Sequence, residues 1–143
     1  MAEGVFAKGR CLCGSVVFSV RAGPVMTGQC HCKDCQRASG TGHMSLAFFK
    51  ADDVMITRGT ARFAVKADSG NTVERAFCPK CGSRMFAQNS SRSGVIGIAV
   101  GAMDNSDWFK ADRIVYTKDQ PPWDLTATDI PRFEKMPPPK PSS

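Results

Sequence analysis

The sequence predicts a mainly β fold of antiparallel strands with little helix. Runs rich in β-branched and apolar residues recur along the chain, and short groups of residues that favour turns separate them. No stretch keeps apolar residues at helical spacing over three turns. Together these observations favour antiparallel meanders.

Five strands and one short helix follow from the pattern in chain order. We expect strands over residues 15–20, 44–49, 61–65, 72–77 and 95–100, and a helix over residues 33–38. The turn signals between strands are Arg58-Gly59, Ser69-Gly70-Asn71 and Ser93-Gly94. Residues 119–133 contain three prolines, and we expect them to wrap the sheets as irregular structure with Trp123 and Phe133 as anchors.

The 143 residues are the length of one domain. We expect a single domain over residues 1–135 and a Pro-rich, disordered tail over residues 136–143. The longest mostly apolar stretch, residues 94–103, is shorter than the about 20 residues that span a bilayer. The first residues also lack the apolar segment of a secretory signal. These features predict a cytoplasmic protein with no membrane segment.

Seven cysteines are the most informative feature of the composition. An odd number cannot pair completely within one chain, and a reducing cytosol disfavours disulfides in any case. The cysteines also lie in three tight groups, which are Cys11 and Cys13; Cys30, Cys32 and Cys35; and Cys78 and Cys81. This clustering favours metal binding.

The first and last groups together supply four thiolates, the usual ligand set of a structural zinc site. Each group is followed by a glycine, Gly14 or Gly82, which tolerates the positive φ that a turn aiming two sulfurs at one metal requires. The glycine N–H can also point toward a thiolate. The alternative is two buried pairs of reduced cysteines. The predicted ligands of this site are Cys11, Cys13, Cys78 and Cys81.

The middle group supplies three thiolates and has no fourth cysteine left. A zinc ion held by three protein ligands keeps one position for water or substrate, which is typical of a catalytic site. In an extended segment His31 should face away from the sulfurs of Cys30 and Cys32. His43 is either a fourth ligand or, alternatively, a partly buried strand histidine or a hydrogen-bond donor to a ligand.

Three thiolates donate much negative charge, so they make zinc a weaker Lewis acid than three histidines do. Such a site suits the binding of a substrate thiol as its thiolate, the nucleophilic form. We therefore expect transfer to or from sulfur rather than direct hydrolysis.

Three motifs contain all seven cysteines: G-R-C-L-C-G-S-V-V-F at residues 9–18, C-H-C-K-D-C-Q-R-A-S-G at 30–40 and R-A-F-C-P-K-C-G-S at 75–83. Together with G-A-M-D at residues 101–104, Trp123 and D-I-P-R-F at 129–133, they cover nearly the whole chain. With these motifs the chain resembles the glutathione-dependent formaldehyde-activating enzyme family, also called the centromere protein V/GFA domain family.

The resemblance implies a β-tent-like zinc-binding fold of stacked antiparallel sheets with two zinc ions per chain. It implies a structural zinc at the first and last cysteine groups and a catalytic zinc at Cys30, Cys32 and Cys35. The implied activity is that of a carbon–sulfur lyase, the reversible joining of glutathione and formaldehyde to S-(hydroxymethyl)glutathione. The chain departs from the family at Arg113, where many members have histidine.

The formal net charge of +6 suits an anionic partner such as glutathione or a related adduct. Lys33, Arg37 and Arg84 lie close in sequence to cysteines and are candidates to attract it, or are solvated surface charges. Nucleic acid is a less favoured partner, because the basic residues form no dense run and few aromatics lie among them. Two alternatives stay open: a non-catalytic zinc-stabilised binding module for nucleic acid or protein, and a zinc–thiolate redox sensor.

Overall fold

The computed structural model describes residues 4–137 and is mainly β, as the sequence predicts. It has one seven-residue helix, α1 (Lys33–Ser39). The strands in chain order are β1 (Ala7–Arg10), β2 (Val17–Val20), β3 (Met26–Cys30), β4 (Met44–Lys50), β5 (Val54–Thr57), β6 (Ala61–Lys66), β7 (Thr72–Phe77), β8 (Arg84–Asn89), β9 (Val95–Ala99) and β10 (Arg113–Val115).

The described residues form two compact units. The first unit comprises residues 4–26 and Leu46–Phe109, and the second comprises Thr27–Ser45 and residues 110–137. The predicted tail begins at residue 136, and residues 138–143 lie outside the described part of the chain.

The first unit is built of antiparallel sheets. Strands β1, β2 and β5 pair in that order, with Val17 and Val20 of β2 opposite Thr57 and Val54 of β5. Strands β9, β8, β7 and β6 form a meander, and β4 pairs with β9 from Leu46 onward. Burial alternates along β1 and β2, because one face of their sheet covers a core, whereas four of the five residues of β9 are buried.

The core of the first unit is apolar and close-packed. Its largest fully buried side chains include Phe18, Phe49, Met85 and Ile98. Phe18 meets Phe86 edge to face, with ring centroids 5.6 Å apart. Cys11 and Cys78 belong to the same buried cluster, so two of the predicted ligands lie inside the core.

The second unit contains α1 and the strands β3 and β10. These two strands run parallel, with Val115 opposite Cys30. This pair departs from the antiparallel arrangement that the sequence predicts. Parallel pairing needs a long connection between the strands, and here more than eighty residues separate Cys30 from Arg113. Only a few side chains of this unit are buried, including Ile114, Val115 and His31.

The predicted strands and helix all occur, with boundaries within two residues of those expected. The pattern missed five strands, which are β1, β3, β5, β8 and β10. Several of these are short or contain Gly and polar residues, so they have no long β-branched run. The expectation that Trp123 anchors its segment is wrong, because 67% of its surface is exposed. Phe133 is half-buried, and its N–H and carbonyl bond to Ile114 and Thr117.

Candidate metal centres

The first unit brings together the four thiols of Cys11, Cys13, Cys78 and Cys81. All four sulfurs lie within 4.8 Å of one another. The Sγ atoms of Cys11 and Cys13 are 3.6 Å apart, and those of Cys13 and Cys78 are 3.8 Å apart. Four sulfurs at about 2.3 Å around a tetrahedral zinc ion would be about 3.8 Å apart. The four thiols therefore fit a zinc ion in both chemistry and spacing.

Two glycine turns shape this site. Gly14 and Gly82 have φ angles of 81° and 77°, the left-handed conformation that their positions after the cysteines predict. Their N–H groups donate to the carbonyls of Cys11 and Cys78, at 3.1 and 2.9 Å, and not to the sulfurs. They close the turns, so the expectation that they stabilise thiolate charge directly is wrong.

Other backbone groups donate to the sulfurs. The N–H of Val16 lies 3.2 Å from the Cys11 sulfur, and the N–H of Lys80 lies 3.4 Å from the Cys78 sulfur. Ser83 joins the two halves of the site, because its hydroxyl accepts from the Leu12 N–H and lies 3.2 Å from the Cys81 sulfur.

The electrostatics favour thiolates at two of the four positions. Hydrogen bonds from the hydroxyl and then the N–H of Ser83 lower the pKa of Cys81 to about 5. Burial opposes ionisation of Cys11, but the Val16 N–H and the thiols of Cys13 and Cys78 outweigh it and lower the pKa. Metal binding requires thiolates, so these bonds prepare the site for a cation.

The second unit brings together the thiols of Cys30, Cys32 and Cys35, again within 4.8 Å of one another. Cys30 ends β3, and α1 returns Cys35 to the same place. The Cys32 sulfur caps the helix by accepting the Cys35 N–H at 3.3 Å. The helix ends at Gly40, whose φ of 75° is left-handed and whose N–H bonds to the Gln36 carbonyl. The sequence from Cys32 to Gly40 thus specifies the turn that gathers the trio.

The trio has a different electrostatic character from the four-cysteine site. The thiols of Cys32 and Cys35, and then burial, raise the pKa of Cys30. Three soft thiolates in this spacing fit zinc, as the four do. None of the seven cysteines, all of them in the described residues, forms a disulfide.

A third group of possible metal ligands, not foreseen from the sequence, lies in the second unit. It consists of His31, His43 and Asp124, here called the histidine–aspartate cluster. The Nδ1 atom of His43 is 2.6 Å from the Asp124 carboxylate, and that of His31 is 3.5 Å from it. Neither histidine has a ring nitrogen within 4.8 Å of all three sulfurs of the cysteine trio. The sequence did not predict Asp124 as part of a site, because it lies in a Pro-rich segment 81 residues beyond its partner His43.

The candidate basic residues divide between the units. Lys33 and Arg37 are exposed on α1, the helix that carries Cys35. Arg84 belongs to the first unit, where its guanidinium lies 5.3 Å from the centre of the Phe77 ring. Arg113 lies in β10, opposite Gly28 of β3 in the second unit. Of these four residues, Lys33, Arg37 and Arg113 belong to the same unit as the trio.

Comparisons with known proteins identify a matching family and a solved structure of similar fold. A family model described as glutathione-dependent formaldehyde-activating enzyme matches residues 6–119. No curated protein matches the chain. The crystal structure of a Rhodobacter sphaeroides protein, solved as a structural genomics target, superposes with a TM-score of 0.57 at 22% identity, over 73% of this chain and 96% of that one. That likeness concerns the fold alone. Within residues 4–137 no helix has the length and apolar character that crossing a membrane requires.

Proposed function

The chain belongs to the glutathione-dependent formaldehyde-activating enzyme family, and on that basis we propose that it is a zinc-dependent carbon–sulfur lyase acting on a thiol adduct. The substrate we propose is S-(hydroxymethyl)glutathione, formed from or cleaved to glutathione and formaldehyde in the cytoplasm. An odd number of cysteines in three tight groups suits a reducing compartment, where disulfides are rare.

The observation that carries the proposal is the difference in ligand number between the two sites. Four thiols surround the first, which leaves a tetrahedral ion with no open position. Three thiols surround the second, and among the described residues no histidine or carboxylate joins them as a fourth mutually close ligand. We propose that Cys11, Cys13, Cys78 and Cys81 hold a structural zinc ion, and that Cys30, Cys32 and Cys35 hold a catalytic one.

Zinc bound by the trio would favour the thiolate form of a substrate sulfur. In the direction of synthesis, a sulfur lone pair of glutathione forms a bond to the aldehyde carbon. The π electrons of the C=O bond move to oxygen, which takes up a proton in place of the one that the thiol released. Cleavage of the adduct reverses each change. Lys33 and Arg37, exposed on α1, suit the attraction of the anionic carboxylates of glutathione.

A zinc–thiolate redox sensor is a second candidate, supported by the mutual closeness of three thiols in the trio. It predicts that mild peroxide releases zinc and forms a disulfide, and that a thiol reductant restores the zinc site. A lyase needs no such cycle, so the two candidates are separable in one preparation.

The test combines metal analysis with a rate measurement. Freshly purified, reduced protein should contain two zinc ions per chain and should accelerate the exchange between formaldehyde, glutathione and their adduct, followed by NMR. Cys35→Ser should lose that acceleration, whereas Arg37→Ala should keep both zinc ions and weaken only the affinity for glutathione. Two bound zinc ions with no acceleration for glutathione or other thiols would contradict the lyase and leave a binding module or a sensor.

A further inference from the structure

His31 stands between Cys30 and Cys32 in the sequence, and it is completely buried. Its backbone is held on both sides: the N–H donates to the Val115 carbonyl at 3.1 Å, and the carbonyl accepts from the Gln36 amide at 2.7 Å. The same Gln36 amide nitrogen donates to the Asp119 carbonyl at 2.9 Å. The peptide that carries Cys30 and Cys32 is therefore tied to the segment that begins at residue 119.

The His31 ring is held as firmly as its backbone. Its Nδ1–H donates to the Gly42 carbonyl at 2.7 Å, which fixes the tautomer because a carbonyl can only accept. Its Nε2 accepts from the Thr126 hydroxyl, 3.1 Å away. The ring thus has one donating and one accepting nitrogen, which is the pattern of a neutral imidazole. Both ring nitrogens are occupied.

Asp124 and His43 complete the cluster. The distance of 2.6 Å between His43 Nδ1 and the Asp124 carboxylate is that of a charge-assisted hydrogen bond. Two ligands of one tetrahedral zinc ion, each at about 2.0–2.1 Å, would be separated by about 3.3 Å. The packing is tight as well, since a Cβ on Gly42 would come within 2.3 Å of the Asp124 side chain. The distance between His43 and Asp124 is therefore that of a hydrogen bond and is too short for two ligands of one zinc ion.

The segment that carries Asp124 contributes few apolar contacts beside these polar ones. Its neighbours Trp123 and Leu125 are 67% and 84% exposed, whereas the Asp124 side chain is 13% exposed. Arg132 donates to the Thr126 hydroxyl at 3.0 Å and to the Ala127 carbonyl at 2.7 Å. Among the described residues no buried side-chain nitrogen or oxygen lacks a partner. Hydrogen bonds thus hold this segment in place.

We propose that the histidine–aspartate cluster, together with Thr126, is a positioning device for the cysteine trio. It fixes the peptide of His31, and with it the thiols on either side, so that the affinity of the trio for its metal ion depends on residues 119–132. The inference rests on the proposed metal site but assigns the cluster no part in the bond-making step. His31 is a positioning residue and not a ligand.

The test compares the two metal sites of the same molecule. Zinc-loaded wild type, Asp124→Ala and Thr126→Val are titrated with a chromophoric chelator, and the cobalt-substituted trio is followed by its sulfur-to-cobalt charge-transfer absorption. We expect each variant to lower the zinc affinity of the trio by about 10–100-fold, as changes in residues that orient ligands typically do. The four-cysteine site should be unchanged. Trp123→Ala and Leu125→Ala, which alter the exposed neighbours of Asp124, are the matched controls and should leave both affinities unchanged.

Conservative variants separate positioning from general destabilisation. Thr126→Ser keeps the hydroxyl and should retain wild-type affinity and the wild-type cobalt spectrum. If Asp124→Ala loses the fold, Asp124→Asn and Thr126→Val decide the question. Unchanged affinity and spectrum in folded variants would overturn the positioning role, as would a lower reaction rate with unchanged zinc affinity. A wild type that binds one zinc ion overturns this inference and the proposed function together, whereas two zinc ions without lyase activity overturn the function alone.

Discussion

The two cysteine sites differ in the length of chain that each one closes. In the first unit Cys13 and Cys78, which lie 3.8 Å apart, are separated by 65 positions in the sequence. In the second unit all three thiols come from residues 30–35. A link that closes a long loop removes more conformational entropy from the unfolded chain than one that closes a short loop. A metal ion bound at the first site would therefore stabilise its unit more than one bound at the second site.

The surroundings of the two sites also indicate that the first site contributes more to stability than the second. Cys11 and Cys78 are part of an apolar core, where the loss of a ligand also opens the packing. The trio lies in a unit whose buried groups include the neutral, hydrogen-bonded His31. The first arrangement suits a structural metal ion that stays bound and stabilises the fold. The second suits a site whose geometry is set by polar contacts and whose metal ion has an open position for a ligand.

The largest expected effect is the loss of the first site. Cys81→Ser should abolish cooperative folding, because a structural zinc site contributes about 10–16 kcal/mol and a whole domain has about 5–15 kcal/mol of net stability. Circular dichroism and zinc content report the result. Leu12→Ala changes an 82% exposed side chain between two ligands and should fold normally. A folded Cys81→Ser protein would remove the distinction between the two sites.

The next effect concerns the core that supports the first site. Phe18→Ala should lower the free energy of unfolding by about 3–5 kcal/mol, because it leaves a cavity against Phe86. Chemical denaturation of the zinc-loaded protein measures the change. Leu125→Ala, at an exposed position of the second unit, should change it by less than about 0.5 kcal/mol. A similar cost for both variants would contradict the view that one apolar core carries the stability.

A smaller effect on stability is expected from the loss of the second site. Cys35→Ser should reduce the zinc content from two ions to one while the protein still unfolds cooperatively, at a cost of about 1–3 kcal/mol for a buried hydroxyl. Metal analysis and a thermal melt on the same sample are sufficient. Lys33→Ala, at an exposed position of the same helix, should keep both ions. If Cys35→Ser unfolded as completely as we expect Cys81→Ser to unfold, both sites would be structural and the expected difference would be wrong.

The smallest effect is a difference in acid sensitivity. As the pH falls, protons compete with zinc for the thiolates, and a ligand with a higher pKa loses its metal at a higher pH. The thiols of Cys32 and Cys35 raise the pKa of Cys30, whereas Ser83 holds the pKa of Cys81 at about 5. Cys13 is an exception in the first site: the Ser15 N–H lowers its pKa, but burial and the other three thiols raise it to about 11.

We therefore expect the trio to release zinc at a higher pH than the four-cysteine site. Zinc release during a pH titration can be followed with a chromophoric chelator. The wild type should show two steps of release, and Cys35→Ser should show only the step at lower pH. Release of both ions in one step, or of the four-cysteine ion first, would contradict the expected order.

Much of the β structure and the grouping of the cysteines could be predicted because both depend on neighbours in the sequence. Runs of β-branched and apolar residues indicated β2, β4, β6, β7 and β9, and the cysteine spacing indicated which thiols share a turn. The strands β3 and β10 were missed, because β3 contains Gly and polar residues and the three-residue β10 pairs with β3 more than eighty residues away. Trp123 was assigned to the interior from its type, yet its neighbour Asp124 is the residue that points inward.

The amino-acid sequence alone determined the ligand types, the glycines that follow the cysteine pairs and the count of four thiols against three. These properties are local, since each depends on a few consecutive residues and their allowed backbone angles. Only the tertiary structure decided that His31 bonds to Gly42 and Thr126, and that Asp124 meets His43 across 81 residues. Such contacts arise from how distant segments pack and satisfy buried polar groups, and no short sequence pattern encodes them.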